Sequence, residues 1–195
     1  GEHRRLGVDG EARLEGKGVS YCAICDAPFF KNQEVVIVGG GDSAVEAAVD
    51  VSNWASHVHL VHRSTFRAQQ ILLDRMMDKK NITCELGSVV REIEGEDRVT
   101  SVTIYNKEKD MTYKRDAQGV FIEIGQDPRI DLVKDWVTLD DQNQIVVDKY
   151  KNTSVPGVFA AGDVSDAPYK QIITAAADGA IAALSASNYI TKMEG

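Results

Sequence analysis

The chain has 195 residues, 43% of them apolar and 27% charged, and a formal net charge of -8. That is apolar sequence enough for one large domain or two small ones. The acidic balance speaks against a nucleic-acid or anionic-membrane surface, and no run approaches the roughly 18–20 apolar residues of a membrane helix.

Residues 1–20 are polar, glycine-punctuated and without an apolar leader, and read as a connector. Three cysteines do not suit a secreted disulfide framework. The expected setting is the reducing cytoplasm, where a Cys-x-x-Cys pair is more often catalytic or metal-binding than structural. Glu34–Val38 is a β-branched run bounded by Gly39, as in a buried parallel strand. Ser43 to about Asn53 has helical apolar spacing, and His57–Val61 alternates as a half-exposed strand. Phe66–Lys79 is predicted as a helix with Ile71, Leu72, Met76 and Met77 inward. Ile82–Leu86 and Val89–Ile93 read as strands, then Val99–Asn106 and Met111–Arg115 as a hairpin. A new segment begins near Ala117, with strands over Gly119–Gly125, Gln144–Val147 and Gly157–Asp163. An alanine-rich helix from about Gln171 to Lys192 is predicted to pack closely on a sheet. The order βαβαβ then hairpin predicts an α/β chain built on a Rossmann-like parallel sheet.

Gly39, Gly41 and Ala44 hold the three positions a dinucleotide turn requires, with Gly40, Asp42 and Ser43 between them. The first glycine permits the tight turn, the second lets backbone approach a pyrophosphate, and the third position lets helix and strand pack closely. A glycine-rich turn without a ligand is the plainer alternative. The second strand ends in His62-Arg63-Ser64-Thr65-Phe66-Arg67, with no carboxylate for a ribose 2′-hydroxyl. Basic residues there suit a 2′-phosphate, which favours NADPH over NADH; the alternative is a solvated basic edge.

Cys22 and Cys25 admit three readings. A structural zinc site would need two more ligands from His57, His59 and His62. Two inert buried thiols are the second reading. The third is a redox dithiol, for which Asp26 supplies a proton carrier beside Cys25, as exchange needs a thiolate and a proton for the leaving sulfur. Cys84 reads as a small buried hydrophobe. No metal is expected.

With these residues assembled, the chain resembles the low-molecular-weight thioredoxin reductases, with the flavoprotein subunit of alkyl hydroperoxide reductase as a near neighbour. The resemblance is carried by Gly18-Val-Ser-Tyr-Cys-Ala-Ile-Cys-Asp26, Val38-Gly-Gly-Gly-Asp-Ser-Ala44, His62-Arg63 with Phe66-Arg67-Ala68, Gly157-Val-Phe-Ala-Ala-Gly-Asp163 and Tyr169-Lys-Gln-Ile172. It implies electron flow from NADPH to FAD, to a Cys22–Cys25 disulfide, and on to thioredoxin or a similar small dithiol protein. Cys25 would face the flavin, Cys22 would attack the substrate disulfide, and Asp26 would be the acid/base. The NADPH pyrophosphate would sit on the turn from Gly39 to Ala44, with His62, Arg63 and Arg67 at the 2′-phosphate end. Further cofactor contacts are implied at Ile124, Gly125, Gly162, Asp163, Lys170, Gln171 and Ile172, the last five toward FAD. A homodimer in the cytoplasm, and a rotating NADPH domain, are also implied.

Three departures stand out. Ala27 replaces a glycine usual after Cys-x-x-Cys-Asp, and Ser64-Thr65 shortens the basic loop and removes a second arginine. The family's first GxGxxG, which binds the ADP half of FAD, has no counterpart, so the resemblance covers the family's back two-thirds. The expected organisation is therefore 1–17 as connector or remnant of an FAD domain, 18–116 as NADPH-binding domain with the dithiol, and 117–195 as the C-terminal portion of the FAD domain. Such a partial domain would leave strand edges unpaired and an apolar face uncovered. This chain alone is expected to bind NADPH and to hold FAD weakly or not at all. The competing readings are an NADPH-binding module without turnover, and a peroxiredoxin-linked reductase of the alkyl hydroperoxide reductase type.

Overall fold

In a computed structural model, which describes residues 1–194, the chain opens with two short strands, β1 (Glu2–His3) and β2 (Val19–Ser20). There follow α1 (Ala23–Asp26), a 3₁₀ turn (Ala27–Phe30), β3 (Glu34–Val38), α2 (Asp42–Ser52), β4 (His57–Val61), α3 (Gln70–Met77) and β5 (Ile82–Glu85). Next come β6 (Ser88–Glu94), β7 (Ser101–Asn106), β8 (Met111–Asp116), β9 (Gly119–Ile122) and β10 (Gln126–Asp127), and after a long irregular stretch α4 (Ile172–Glu194).

Five strands make one parallel sheet in the order β2-β9-β3-β4-β5. Parallel strands covered on both faces carry apolar side chains on both. Val35, Ile37, Val58, Leu60 and Phe121 meet Ala44, Val45, Ala48 and Val51 of α2 on one face. Val36, Val38, Val61, Val120 and Ile122 meet Val90, Val102 and Ile104 of the antiparallel sheet β6-β7-β8 on the other. The pairing of β6 with β7 shifts register between Val90 and Glu92, which bends the strand locally.

His3–Gly125 form one compact unit; Gly1–Glu2 and the chain from Gln126 onward form another. Two boundaries expected from sequence are thereby corrected. Gly119–Ile122 does not open a second segment but lies inside the first unit's sheet, between β2 and β3. Residues 3–17 are not a bare connector: Leu14 is fully buried in the same core as Val19 and Val99.

Other elements also differ. The helix expected over Phe66–Lys79 is only α3, because Gln69 is extended and caps it; Ile71 and Met77 face solvent while Met76 is buried. The half-exposed strand expected over His57–Val61 is instead an inner one, with Val58 to Val61 all buried beneath both layers. Gln144–Val147 and Gly157–Asp163 form no strands. Ile145 makes single bridges to Leu139 and Ser165, and Phe159 to Asn152, around a small core of Val137, Ile145 and Ala160. Among the described residues this unit offers no extended sheet, so α4 is not packed on one, and Leu184, Ile190 and Met193 are exposed. Within the same unit a half-buried ion pair joins Lys151 Nζ to Asp178 Oδ1 at 2.7 Å.

Candidate functional site: a dithiol and a glycine turn

Cys22 and Cys25 are joined as a disulfide, with Cα atoms 5.3 Å apart. Cys22 caps α1, its Sγ accepting the Cys25 N–H at 3.3 Å. Ser20 Oγ accepts the Cys22 N–H at 3.1 Å, which fixes the cysteine to the end of β2. Cys25 is exposed, Cys22 and Asp26 are half-buried, and Ala23 between them is buried. Two large apolar neighbours lie in solvent, Ile24 at 69% and Phe29 at 78%. Ala27, at the place where a glycine was expected, is buried and has helical backbone angles, so it needs no glycine.

At the carboxyl end of β3, Gly39 has φ +156, and a Cβ there would collide with the Glu123 carbonyl and Ala44 Cβ. A Cβ at Gly40 would enter the His62 ring, whereas at Gly41 it would meet nothing within 4 Å. The turn is thus closed toward the protein and open toward solvent at Gly41. The first helical bonds of α2 run from Ala44 and Val45 N–H to Gly41 O, which leaves the amides before them directed outward, as anion donors. The Asp42 carboxylate does not compete for them: it accepts the Gln69 N–H and Nε2, both at 2.8 Å, and these bonds lower its pKa.

The basic loop is tied to this turn. Arg67 N–H donates to Gly40 O at 2.8 Å. His62 is buried, its Nε2 within 3.1 Å of Thr65 O and 3.2 Å of Ser64 Oγ, and its ring stacks on Phe66. Burial lowers its pKa, so at neutral pH it fixes the loop as an uncharged ring. Arg63 and Arg67 are exposed. The other histidines have local partners: His57 Nε2 and His59 Nδ1 both meet Thr83 Oγ1, and His59 Nε2 meets Glu34. Cys84 is half-buried, and burial pushes its thiol pKa up.

A profile of the pyridine nucleotide-disulphide oxidoreductases matches residues 1–179. The chain belongs to this family. It is 43% identical over 193 residues to a thioredoxin reductase of Mycolicibacterium smegmatis, covering 98% of this chain and 62% of that protein. It is 40% identical over 190 residues to an alkyl hydroperoxide reductase subunit of Staphylococcus aureus, covering 97% and 38%. The crystal structure of thioredoxin reductase from Streptococcus pyogenes superposes with a TM-score of 0.93 at 42% identity, covering 98% of this chain and 63% of that one. A thioredoxin reductase from Giardia duodenalis gives 0.91 at 37% identity, covering 97% and 63%. The chain therefore spans about three-fifths of the thioredoxin reductases it matches.

The residues of this chain fit a pyridine nucleotide and a flavin to different degrees. For a pyridine nucleotide, the open Gly41, the free first turn of α2 and the exposed Arg63 and Arg67 supply room, donors and charge. In the other unit Gly162 has φ +73 and packs against Ala175, presenting Asp163 in a 3₁₀ turn over Gly162–Val164. Ile172 there is 92% exposed. Asp163 and the exposed Ile172 are the residues of this unit that could contact a flavin. Lys170 is otherwise engaged: its Nζ donates to Gln144 Oε1 and Ser165 O, and burial lowers its pKa. Gln171 accepts at its backbone oxygen from Thr174 Oγ1 and opens α4. Ile124 and Gly125 follow β9 in the first unit, where Gly125 O accepts the Arg4 N–H at 2.9 Å. No helix among the described residues is long and apolar enough to cross a membrane.

The residue that sequence reasoning missed is Glu123. Its signal was a lone carboxylate in the apolar run Val120-Phe-Ile-Glu-Ile124. Its half-buried carboxyl has its pKa pushed up to about 7 by burial, partly offset by the Ala23 amide.

Proposed function

We propose that this chain is the nucleotide-and-dithiol portion of a thioredoxin-reductase-type flavoprotein, which reduces a protein disulfide with electrons from NADPH. The observation that carries the reading is the union, in one compact unit, of a Cys22–Cys25 disulfide and an open glycine turn flanked by exposed arginines.

The Gly41–Ser43 amides bind the pyrophosphate, and Arg63 and Arg67 bind the 2′-phosphate in the geometry His62 maintains. FAD, held by residues including Asp163 and Ile172, would supply the relay of two electrons from nicotinamide to the disulfide. Once reduced, Cys22 attacks as thiolate on a sulfur of the substrate disulfide, forming a mixed disulfide and expelling one substrate thiolate, which takes a proton. Cys25 then attacks Cys22 Sγ, restoring the Cys22–Cys25 bond and releasing the second substrate thiol; Asp26 carries protons beside it. Exposed Ile24 and Phe29 offer an apolar rim that suits a protein partner such as thioredoxin. The family resemblance supports a cytoplasmic homodimer.

The 40% identity to an alkyl hydroperoxide reductase supports one alternative partner, a peroxiredoxin-type disulfide protein. The discriminating experiment is turnover of NADPH, in the protein that carries this chain, with thioredoxin or with a peroxiredoxin as acceptor. Loss of turnover in Cys22→Ser is expected; unchanged disulfide reduction would sink the dithiol reading. The absorption spectrum of the purified chain decides a separate point: flavin bands mean that it holds FAD, and their absence leaves it as an NADPH-binding module.

A further inference from the structure

Ser20 ends β2, where its neighbour Val19 is packed into the core and Ser20 itself is only 6% exposed. Its register partner is Phe121 of β9, so the strand that carries it is fixed in the parallel sheet. A serine hydroxyl has one hydrogen to give and two lone pairs to receive. Ser20 Oγ accepts the Cys22 N–H at 3.1 Å and donates to the Cys22 carbonyl at 3.4 Å, so one side chain brackets both backbone polar groups of that cysteine. The same carbonyl accepts the Asp26 N–H at 3.2 Å. Cys22 is thereby held extended, at φ -136 and ψ 97, with its sulfur 3.3 Å from the Cys25 nitrogen whose N–H it accepts. None of the steps proposed above uses the serine.

We propose that Ser20 is a positioning residue for the Cys22–Cys25 couple: its hydroxyl keeps the Cys22 sulfur on the Cys25 amide after the disulfide opens, and so makes Cys22 the readier thiol of the pair to ionise. The proposal rests on the dithiol reading of these cysteines. Reduction takes up two electrons and two protons, breaks the S–S bond and leaves two thiols; Cys22 must then release its proton to attack a substrate disulfide. An N–H donated to the resulting thiolate stabilises the charged form and lowers the pKa of the thiol. While the disulfide is closed, the covalent bond itself holds Cys22 Sγ near the Cys25 amide. Once it opens, the place of the sulfur depends on the Cys22 backbone, and Ser20 supplies two of the hydrogen bonds that fix it. Without the hydroxyl, that backbone can turn and carry the sulfur off the amide.

The charged and titratable groups around this segment belong to other side chains. Glu11 and Arg5 meet the Tyr21 hydroxyl, His3 lies against the Tyr21 ring, and Glu15 pairs with Arg5. Asp26 closes α1, and Glu123 follows β9. Replacing the serine alters none of these charges, so a shift in Cys22 ionisation reads the hydrogen-bonded geometry.

The test follows alkylation of the reduced chain by iodoacetamide from about pH 5.5 to about 9.5, each cysteine read separately by peptide mass spectrometry. Wild type is compared with Ser20→Ala and with two variants of one shape: Ser20→Thr, which keeps the hydroxyl, and Ser20→Val, which lacks it. In Ser20→Ala and Ser20→Val the Cys22 inflection should rise by about one pH unit. Ser20→Thr should follow wild type, and Cys84 should be unmoved throughout. The Thr and Val pair gives the same answer if Ser20→Ala does not fold. A Cys22 inflection that is unchanged in every variant, or that rises in Ser20→Thr as far as in Ser20→Val, would overturn the proposal. Failure of the underlying dithiol reading is visible separately, as an oxidised wild-type chain in which no Cys22–Cys25 disulfide peptide forms.

Discussion

The Tyr21 hydroxyl donates to Glu11 Oε1 at 2.8 Å, so the residue directly before Cys22 is moored to a carboxylate only 2% exposed. Glu11 also accepts the N–H groups of Leu6 and Gly7, at 3.0 and 2.7 Å. Arg5 donates to the Tyr21 oxygen at 3.0 Å and to Glu15 at 2.8 Å. Burial, then Glu11, raises the Tyr21 pKa. The N-terminal loop and the dithiol strand thus share one buried acceptor.

Tyr21→Phe should therefore cost about 1 kcal/mol, and Glu11→Gln about 2 kcal/mol because it turns a donor from a buried side chain toward the Leu6 and Gly7 N–H groups. Urea midpoints of the two variants against wild type measure this. Equal stability of Glu11→Gln and wild type would mean that the loop amides find other acceptors.

The glycines of the turn should separate folding from binding. Gly39→Ala places a side chain at φ +156 against the Glu123 carbonyl and should destabilise by about 2–4 kcal/mol. Gly41→Ala has φ -96 and open space, so its thermal midpoint should match wild type. On the proposed reading its methyl would stand where backbone approaches the pyrophosphate, and NADPH affinity should fall about tenfold. A Gly41→Ala chain that binds NADPH normally would remove the pyrophosphate from this turn.

Glu123 also predicts a pH dependence of stability. Its folded pKa of about 7 lies above the ordinary value of 4.5, so between these values the folded state binds more protons than the unfolded one. Stability from this group is present below about pH 4.5 and is lost as pH rises toward 7. Glu123→Gln should thus equal wild type near pH 5 and exceed it at pH 8, by at most about 3 kcal/mol. Denaturant melts at the two pH values check the sign, and a variant less stable than wild type at pH 8 would contradict it.

What was legible in sequence was what neighbours in sequence determine. The run from Glu34 through the glycines to α2, and the spacing of Cys22 and Cys25, each state their geometry within a dozen residues. Gly119–Ile122 was legible as a strand but not as a neighbour of β2, since its place depends on partners far away in the chain. The burial of Glu11 and Leu14 was hidden for the same reason, being imposed by Tyr21 and by the antiparallel layer. Gln144–Val147 carries strand residues yet forms none, because among the described residues it finds only the single bridges of Ile145 to Leu139 and Ser165.

The position of β9 has a consequence for how the molecule assembles during synthesis. Glu34 N–H donates to the Gln118 side chain across 84 residues of sequence, and β9 alone joins β2 to β3. Until residues 119–122 have left the ribosome, β3, β4 and β5 can pair while β2 lacks the strand that joins it to them. The segment bearing Cys22 and Cys25 is attached to that waiting strand. Its thiols are made early and housed late, so throughout elongation they are open to whatever oxidant or thiol the nascent chain encounters.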